Sequence, residues 1–178
     1  MANEVKMLPP NVTVWWVPIP AGIANVNCPT AAEINAGVNI SCALTTDLTL
    51  GWTERDTDDT GGLCDDANVA NPTKKNYEGT LNFFLDRDLG DAKPESVYNE
   101  ALELFKTPLQ PGYLVQRIGK HPRTVPDAAD GDYVTVFKFL SGDPNIVNDA
   151  TAPVQMEVVF YAQGESSDGI VQVGICGS

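Results

Sequence analysis

One amphipathic helix among strand-like segments is the feature that most constrains how this chain folds. Residues 94–106 place apolar side chains at the helical period on one side and polar side chains on the other. Pro94 suits the first turn, Lys106 favours the negative C-terminal end, and Pro108 then ends the helix. Because only a sheet can bury its apolar face, we expect this helix to lie across one. That face comprises Val97, Tyr98, Ala101, Leu102, Leu104 and Phe105, and the polar face comprises Glu95, Asn99, Glu100 and Glu103.

The other periodic segments favour β-strands. In residues 11–17, Trp15 and Trp16 are adjacent, so each face of that strand carries a large ring and both faces are expected to be covered. A short helix within residues 28–36 is indicated by Thr30 and Glu33 at the capping-box spacing, with Gly37 as its C-cap. Further strands are expected at 39–53, 77–86, 112–119, 132–140, 153–162 and 170–175, with a loop at 141–151.

The order of these elements predicts the fold class. Some seven or eight strands with one main helix and no βαβ alternation predict a mainly β protein, an antiparallel β-sandwich or barrel with one α-helix packed against it. We expect a single domain over residues 1–178. Its parts are an extended N-terminal arm at 1–10, a long polar hairpin loop at 54–76 and the helix at 94–106.

Charge and hydropathy narrow the possible partners. The net charge of −13 repels phosphate backbones, which disfavours specific nucleic-acid binding. No apolar run approaches the roughly 18 residues of a membrane helix, so no membrane association is expected. The N-terminus has no apolar signal-peptide region, which indicates synthesis in a cytoplasm.

Residue patterns for catalysis and metal binding are absent. His121 is the single histidine and sits in a basic loop, and the chain has neither a G-x-S-x-G elbow nor a phosphate-binding glycine motif. Asp56, Asp58 and Thr60 match the start of a calcium loop, but its twelfth position is Ala67 instead of glutamate. We therefore expect no enzymatic activity, no catalytic residue, no cofactor and no metal site.

The four cysteines show no paired spacing typical of zinc ligands. Cys28, Cys42, Cys64 and Cys176 are irregularly spaced, and none forms a C-x-x-C motif. We expect free thiols in a reducing compartment, with a Cys28–Cys42 disulfide outside the cell as the alternative.

The large aromatic side chains on strands allow two interpretations. Either the sandwich is thick and the helix covers its second face, or some rings enter subunit interfaces, where aromatic anchors concentrate. Under the second interpretation, the candidate interface aromatics are Trp15, Trp16 and Trp52.

With these elements in place, the chain resembles the major tail tube proteins of long-tailed bacteriophages, in particular those of phages that infect actinobacteria. The resemblance covers nearly the whole chain and involves the element order as well as three local runs. The runs are Val-Thr-Val-Trp-Trp-Val-Pro at 12–18, Ala-Asp-Gly-Asp-Tyr-Val-Thr-Val-Phe at 129–137, and Phe-Tyr-Ala-Gln-Gly at 160–164 with Gly-Ile-Val-Gln-Val at 169–173.

This resemblance implies a structural virion protein. Subunits of such proteins form hexameric rings that share a continuous inner β-barrel, and the rings stack into the tail tube, the conduit for genome ejection. The implied partners are other copies of the chain, the tape measure protein and the tail terminator and tip proteins, with DNA only as transiting cargo. The implied location is the virion tail, after assembly in the host cytoplasm.

The long loop and the N-terminal arm at 1–10 are the expected ring-stacking elements, since heterologous contacts that do not close build filaments. Other virion roles, such as head–tail joining or capsid decoration, share this composition. A carbohydrate-binding β-sandwich and a β-sandwich hydrolase with two acids are the alternatives outside the virion. The candidate stacking residues of the loop are Asp56, Asp58, Asp59, Asp65, Asp66, Lys74 and Lys75.

Overall fold

A computed structural model of the chain describes residues 12–58, 71–89, 96–119, 125–149 and 151–175. Its helices are α1 (Ala31–Asn35) and α2 (Val97–Phe105). Its strands are β1 (Val12–Pro18), β2 (Val38–Asn39), β3 (Thr49–Thr53), β4 (Thr57–Asp58), β5 (Asn71–Pro72), β6 (Asn76–Phe84), β7 (Pro111–Ile118), β8 (Tyr133–Val147), β9 (Gln155–Ser166) and β10 (Val171–Gln172).

Eight of the strands form one antiparallel sheet. Its order is β2-β1-β7-β8-β9-β6-β3, with β10 paired to the start of β8, and β4 and β5 form a separate two-stranded ribbon. Every pairing is antiparallel. The expectation of a mainly β, antiparallel fold with a helix packed against it is confirmed.

The sheet has two faces, which we call the helix face and the opposite face. The two adjacent tryptophans of β1 separate them, since Trp16 points to the helix face and Trp15 to the opposite face, and both are buried. The helix face holds the larger core, including Trp16, Leu81, Phe83, Phe105, Leu114, Phe137, Phe139, Met156, Val158 and Phe160. The core of the opposite face includes Trp15, Val17, Ile23, Ile34, Val115, Val134, Val136 and Val173.

The sheet curves strongly around its helix face. Trp16 on β1 and Phe160 on β9 lie three strand steps apart, which in a flat sheet corresponds to about 14 Å. Their ring centroids are nevertheless 5.6 Å apart, and Phe105 of α2 packs 5.3 Å from Trp16 and 5.4 Å from Phe160. The helix therefore fills the concave side, where Phe105 meets the other two rings edge to face.

Helix α2 differs from its prediction in its first residue and in the exposure of two side chains, of which Val97 was assigned to the apolar face but is exposed. It begins at Val97 with Ser96 as the N-cap, three residues later than predicted, because the extended Ser96 donates its hydroxyl to Asp86 Oδ2 at 2.7 Å. Asn99 was assigned to the polar face but is buried, and its Nδ2 donates to the Asp88 carbonyl at 3.0 Å. The turn before the helix thus covers part of the face that the sequence assigns to solvent. Residues 94 and 95 lie outside the described residues.

Helix α1 forms where the capping box predicts it. The Thr30 hydroxyl accepts from the Glu33 backbone N–H, and the Glu33 carboxylate accepts from the Thr30 backbone N–H. The C-cap, however, is Ala36 rather than Gly37. Gly37 serves close packing instead, because a Cβ there would meet the Trp16 carbonyl oxygen at 2.6 Å.

Strand β8 corrects the predicted loop at 141–151. The strand continues to Val147 and pairs with β9, with Ile146 opposite Met156 and Val147 opposite Gln155. Gly142 and Pro144 suggested a turn, but they lie at a register shift between Ser141 and Pro144. Proline in sheets occurs at bulges and on edge strands, and Pro144 lies at both a bulge and an edge.

Strand β9 also extends past its predicted end, through Gly164 to Ser166. A second register shift, between Phe137 and Phe139, leaves a bulge in β9. The Tyr77 hydroxyl satisfies this bulge, since it accepts from the backbone N–H groups of Gln163 and Glu165, both at 3.0 Å. Burial raises the pKa of this tyrosine, and the hydroxyl in turn lies 2.9 Å from the Lys138 carbonyl.

The cysteine prediction is wrong in part. Cys28 is disulfide-bonded, whereas Cys42 is a free, exposed thiol, so the alternative Cys28–Cys42 pair does not form. The bonding partner of Cys28 lies outside the described residues, as do Cys64 and Cys176. Spacing along the chain could not reveal this bond, because residues far apart in sequence meet in an antiparallel sheet.

Candidate assembly surface

The sheet divides into two halves that differ in their cover. The double-covered half consists of β2, β1, β7 and residues 133–140 of β8, and side chains pack on both of its faces. The single-covered half consists of residues 141–147 of β8, then β9, β6 and β3, and only its helix face carries a core. Its opposite face carries none of the residues of the opposite-face core in the described part of the chain.

Cross-strand rows define the chemistry of this uncovered face. One row joins Asn145, Glu157 and Asn82, and another joins Val159, Thr80 and Thr49, because residues paired across strands share a face. Tyr161, Val147 and Val159 are apolar members, at 52%, 41% and 40% exposure. The remaining members are mostly small or polar, so water solvates this face and its apolar side chains form no large continuous patch.

The single-covered half carries acids and no bases. Its four strand segments, residues 49–53, 76–84, 141–147 and 155–166, contain no lysine and no arginine. They contain the acids Glu78, Asp143, Glu157 and Glu165. A surface of this composition repels phosphate groups and offers them no counter-ion.

Both edges of the single-covered half are open in the described residues. Strand β3 ends the sheet, and no described strand pairs with the side of β8 that faces away from β9 beyond Ser141. Such edges present unpaired backbone N–H and C=O groups and are templates for pairing with another chain.

The predicted stacking loop begins as a hairpin that continues β3 and β6. Thr53 pairs with Asn76, and farther out Thr57 pairs with Pro72. Asp56 fixes the base of this hairpin, since its carbonyl accepts from the Thr73 backbone N–H at 2.7 Å and its carboxylate from Asn76 Nδ2 at 2.9 Å. Lys74 and Asp58 are exposed at the same end, and the predicted stacking residues Asp59, Asp65 and Asp66 lie outside the described residues.

Lys75 is tied to its own subunit. Its ammonium forms an ion pair with Asp168, whose carboxylate also accepts from Asn27 Nδ2 at 2.8 Å. The hydrogen bonds from Lys75 and Asn27 and the charge of Lys75 lower the pKa of Asp168. Asp168 therefore links the hairpin base to the segment that leads into α1.

The three candidate interface tryptophans occupy different environments. Trp15 and Trp16 are only 2% and 1% exposed, because they pack in the two cores of the subunit. Neither ring is therefore accessible to a neighbouring subunit. Trp52 on the edge strand β3 stays 38% exposed, with its ring 4.9 Å from that of Phe137. Of the three tryptophans, we therefore predict an interface role for Trp52 alone.

No described residues form a group that could hold a metal ion. Asp56 and Asp58 from the possible calcium loop are described, but Thr60 and Ala67 are not, and His121 also lies outside the described residues. Within the described part of the chain, no helix combines the length and the apolar character needed to cross a membrane.

Sequence reasoning missed the extended edge of β8. Residues 141–147 contain glycine and proline, which hid a strand that exposes Ile146 at 58% and Val147 at 41%. The available signal was this apolar pair two residues after Pro144, since a solvated loop needs no such pair.

An antiparallel sheet with open edges and one uncovered acidic face is typical of structural β proteins that assemble edge to edge. A family model described as phage tail tube protein matches residues 1–174, so the chain belongs to that family. It is accordingly a structural component of the virion tail, in a family that is structural rather than enzymatic. The comparison with curated proteins found no match. The suggested actinobacterial host stays a prediction.

Proposed function

We propose that the chain forms hexameric rings that stack into the tail tube, the conduit through which the phage genome is ejected. The observation that carries this proposal is the single-covered half, with two open edges and an uncovered face that lacks bases. Repeating this half around an axis joins the edges of neighbouring copies into one continuous barrel, which leaves no strand edge exposed.

In this arrangement the uncovered face lines the lumen. Helix α2 and the core of the helix face lie behind the wall and keep it rigid. Glu78 and Glu157 project from the face with small polar neighbours, so the wall repels phosphates and offers DNA no site to hold it. DNA is therefore cargo in transit rather than a ligand.

The hairpin at 54–76 and the arm at 1–10 provide the contacts between rings. Asp56 and Lys75 hold the hairpin base on its own subunit, which leaves the outer part of the loop to reach the next ring. Assembly takes place in the host cytoplasm around the tape measure protein, and tail terminator and tip proteins cap the two ends of the tube.

Electron microscopy of the purified protein across a concentration series tests this function. We expect tubes or stacked rings, at high concentration or on addition of purified tail tips as initiators. Rings that never stack, even with tips, would favour a head–tail joining protein. Monomers under both conditions would contradict the proposal, and a glycan-binding screen would then test the carbohydrate-binding alternative.

The proposed lumen face is tested by charge reversal. In tubes of the double variant Glu78→Lys/Glu157→Lys, we expect double-stranded DNA to be retained and to be released by salt, because lysines in the wall bind phosphates. The control is Glu100→Lys/Glu103→Lys, which makes the same charge change on the exposed side of α2. Equal retention of DNA by both variants would show that the face does not line the lumen.

The stacking role of the hairpin is tested by a deletion. Removal of residues 57–66 is expected to leave a folded subunit that forms rings but no tubes, because the cut spares Asp56 and falls outside the β3–β6 ladder. Circular dichroism checks the fold and electron microscopy the assembly. Tubes of normal length from this variant would contradict the stacking role.

A further inference from the structure

The C-terminal segment at 171–175 completes the cover of the opposite face in the double-covered half. Val173 is fully buried in that core, its N–H donates to the Asp132 carbonyl at 2.9 Å, and its carbonyl accepts from the Gly131 N–H at 2.9 Å. Strand β10 itself pairs only two residues with β8. Strands of globular proteins usually have at least about three residues, so strand pairing alone holds this segment weakly.

Gly174 turns the segment toward the residues that precede α1. Its φ of 71° lies in the left-handed region that favours glycine, and a Cβ there would meet Asp130 Oδ1 at 2.6 Å. In this conformation the Gly174 N–H donates to the Pro29 carbonyl at 2.9 Å. The glycine therefore brings the end of the described chain into contact with the residue next to Cys28.

A second contact holds the other neighbour of Cys28. Asn27 Nδ2 donates to Asp168 Oδ2 at 2.8 Å, and the Asp168 N–H donates to Asn27 Oδ1 at 2.6 Å. Cys28 thus lies between two residues that are both hydrogen-bonded to the C-terminal part of the chain. Ile175, the last described residue, lines the same surface pocket as Cys28.

Distances along the chain indicate which cysteine bonds to Cys28. Cys28 is disulfide-bonded, and bonded cysteines have Cα atoms about 4.4–6.8 Å apart. Cys176 follows Gly174 by two residues, which span at most about 7 Å, so it is within reach of Cys28. Cys64 belongs to the hairpin loop beyond β4, and Cys42 is a free thiol.

We propose that Cys28 and Cys176 form a disulfide that fixes the C-terminal segment on its core, and that the bond closes once the tail leaves the reducing host cytoplasm. Two thiols lose two protons and two electrons as the S–S bond forms. Dissolved oxygen, which becomes hydrogen peroxide, or a small-molecule disulfide, which becomes two thiols, accepts them. Only the timing rests on the proposed cytoplasmic assembly, where cellular thiols keep cysteines reduced.

This disulfide is a covalent staple on the double-covered half. It closes a loop that contains most of the chain, and in the chain-entropy account a longer loop gives a larger stabilisation. Neither cysteine lies in the strands of the single-covered half. The subunit therefore gains stability outside the cell while its uncovered face stays as it was assembled.

Peptide mapping of the purified, alkylated protein tests the connectivity. Trypsin cuts after lysine and arginine, so the peptides 7–55, 56–74 and 139–178 carry all four cysteines. In a Cys42→Ser background, we expect 7–55 linked to 139–178 without reductant and unlinked with it. A link between 7–55 and 56–74, the absence of any link, or covalent dimers on a non-reducing gel would overturn the inference.

Serine variants test the staple independently of the mapping. Cys28→Ser and Cys176→Ser are each expected to lower the melting temperature of the oxidised protein by about 5 °C or more. The double variant should lose no more than either single variant, because the two residues form one bond. A reductant should lower the wild type to the same value, and Cys64→Ser is the matched control that should behave as the wild type. Loss of the reductant effect in Cys64→Ser would contradict the assigned pair.

N-ethylmaleimide added to expressing cells before lysis tests the timing. We expect both thiols to be blocked there, and the linked peptides to appear only in protein left unblocked in air. Linked peptides from cells blocked before lysis would overturn the timing. If the purified protein carries the link but never forms rings, the proposed function fails and the bond stands, whereas tubes without the link would overturn the bond and leave the tube.

Discussion

The double-covered and single-covered halves belong to one antiparallel ladder but bury their residues in different patterns. In β1, five consecutive residues are buried, whereas from Gln155 to Phe160 of β9 each buried residue is followed by a less buried one. Continuous burial requires cover on both faces, which α1 and the loops around Val26 and Ala128 supply. Alternation leaves one face to solvent, so the same backbone geometry gives a scaffold on one side and a surface on the other.

This difference in burial indicates which half of the sheet contributes more to the stability of the subunit. Substitutions in the double-covered half remove packing contacts in a buried core and are expected to destabilise the monomer. Substitutions on the uncovered face remove few contacts within the monomer. The single-covered half is therefore free to meet the demands of assembly, and its outward side chains are expected to matter in the tube rather than in the isolated chain.

The largest expected effect contrasts Trp15→Ala with Tyr161→Ala. Trp15 is 2% exposed and packs in the core of the opposite face, so its truncation is expected to lower the free energy of unfolding by about 3–5 kcal/mol. Tyr161 is 52% exposed on the same face of the other half, so its truncation should cost about 0.5 kcal/mol or less. Urea unfolding of monomers measures both. Similar losses would show that the two halves do not differ.

The second contrast compares two ion pairs. Arg117 is buried and reaches Asp132 Oδ2 at 3.2 Å, the Val125 carbonyl at 2.7 Å and Thr13 Oγ1 at 3.1 Å. Arg117→Leu removes the guanidinium that compensates the buried carboxylate of Asp132. It should therefore lower the free energy of unfolding by about 3 kcal/mol.

Lys138 provides the matched control for Arg117, because its 2.6 Å pair with Glu165 lies at the surface. Lys138→Leu should cost less than about 1 kcal/mol in the same unfolding experiment. If this substitution destabilised the subunit as much as Arg117→Leu, the distinction between a buried scaffold and a solvated surface would not hold for charges.

Tyr77→Phe probes a place where the single-covered half depends on a buried hydroxyl group. Loss of the hydroxyl leaves the Gln163 and Glu165 N–H groups of the β9 bulge without an acceptor, for a cost of about 1–3 kcal/mol in the free energy of unfolding. Tyr161→Phe, which removes an exposed hydroxyl from the same half, should cost nothing measurable. A neutral Tyr77→Phe would mean that the bulge is hydrated.

Tyr77 also makes the free energy of unfolding decrease at alkaline pH. Burial raises its pKa in the folded state, so its contribution to stability is complete below the ordinary tyrosine pKa of about 10 and is lost as the pH rises through the folded value. Urea unfolding between pH 8 and pH 11 should therefore show a steeper alkaline decline for the wild type than for Tyr77→Phe. Lys138, whose pKa is raised by its hydrogen bond to Glu165, contributes to the decline that both proteins share.

The smallest expected effect concerns the link between hairpin base and α1 segment. Hydrogen bonds from Lys75 and Asn27 lower the pKa of Asp168, so its contribution is present above the ordinary aspartate pKa of about 3.9 and is lost as the pH falls through the folded value. Asp168→Asn should lower the stability slightly at neutral pH and leave it unchanged in strong acid, so the acid limb of the stability profile becomes flatter by the same small amount. An unaltered acid limb would show that this exposed link does not contribute.

Several elements follow from local rules and are visible in the sequence. The capping box of Thr30 and Glu33 determines α1 because its hydrogen bonds lie within a few residues of each other. The adjacent tryptophans of β1 predict two covered faces because side chains alternate along any strand. The apolar face of α2 likewise follows from periodicity, and Phe105 of that face enters the core.

Other features depend on contacts between distant segments. Asn99 is buried because the Asp88 carbonyl happens to lie above it, and Gly37 is needed because Trp16 passes close by. The strand at 141–147 forms because β9 offers it a partner, which outweighs the local preference of Gly142 and Pro144 for a turn. Periodicity within one segment contains no information about such partners.

The sequence by itself therefore determined the strand-rich class, the capped and amphipathic helices and the acidic, base-poor character of this tail tube protein, because these follow from side-chain chemistry and local periods. Only the tertiary structure decided that half of the sheet stays uncovered, that β8 continues past its turn-like residues, and that the C-terminal segment contacts the residue next to Cys28. The physical reason is that curvature and cover arise from packing between strands such as β1 and β9, which are not neighbours in the sheet and whose rings meet only after the chain has folded.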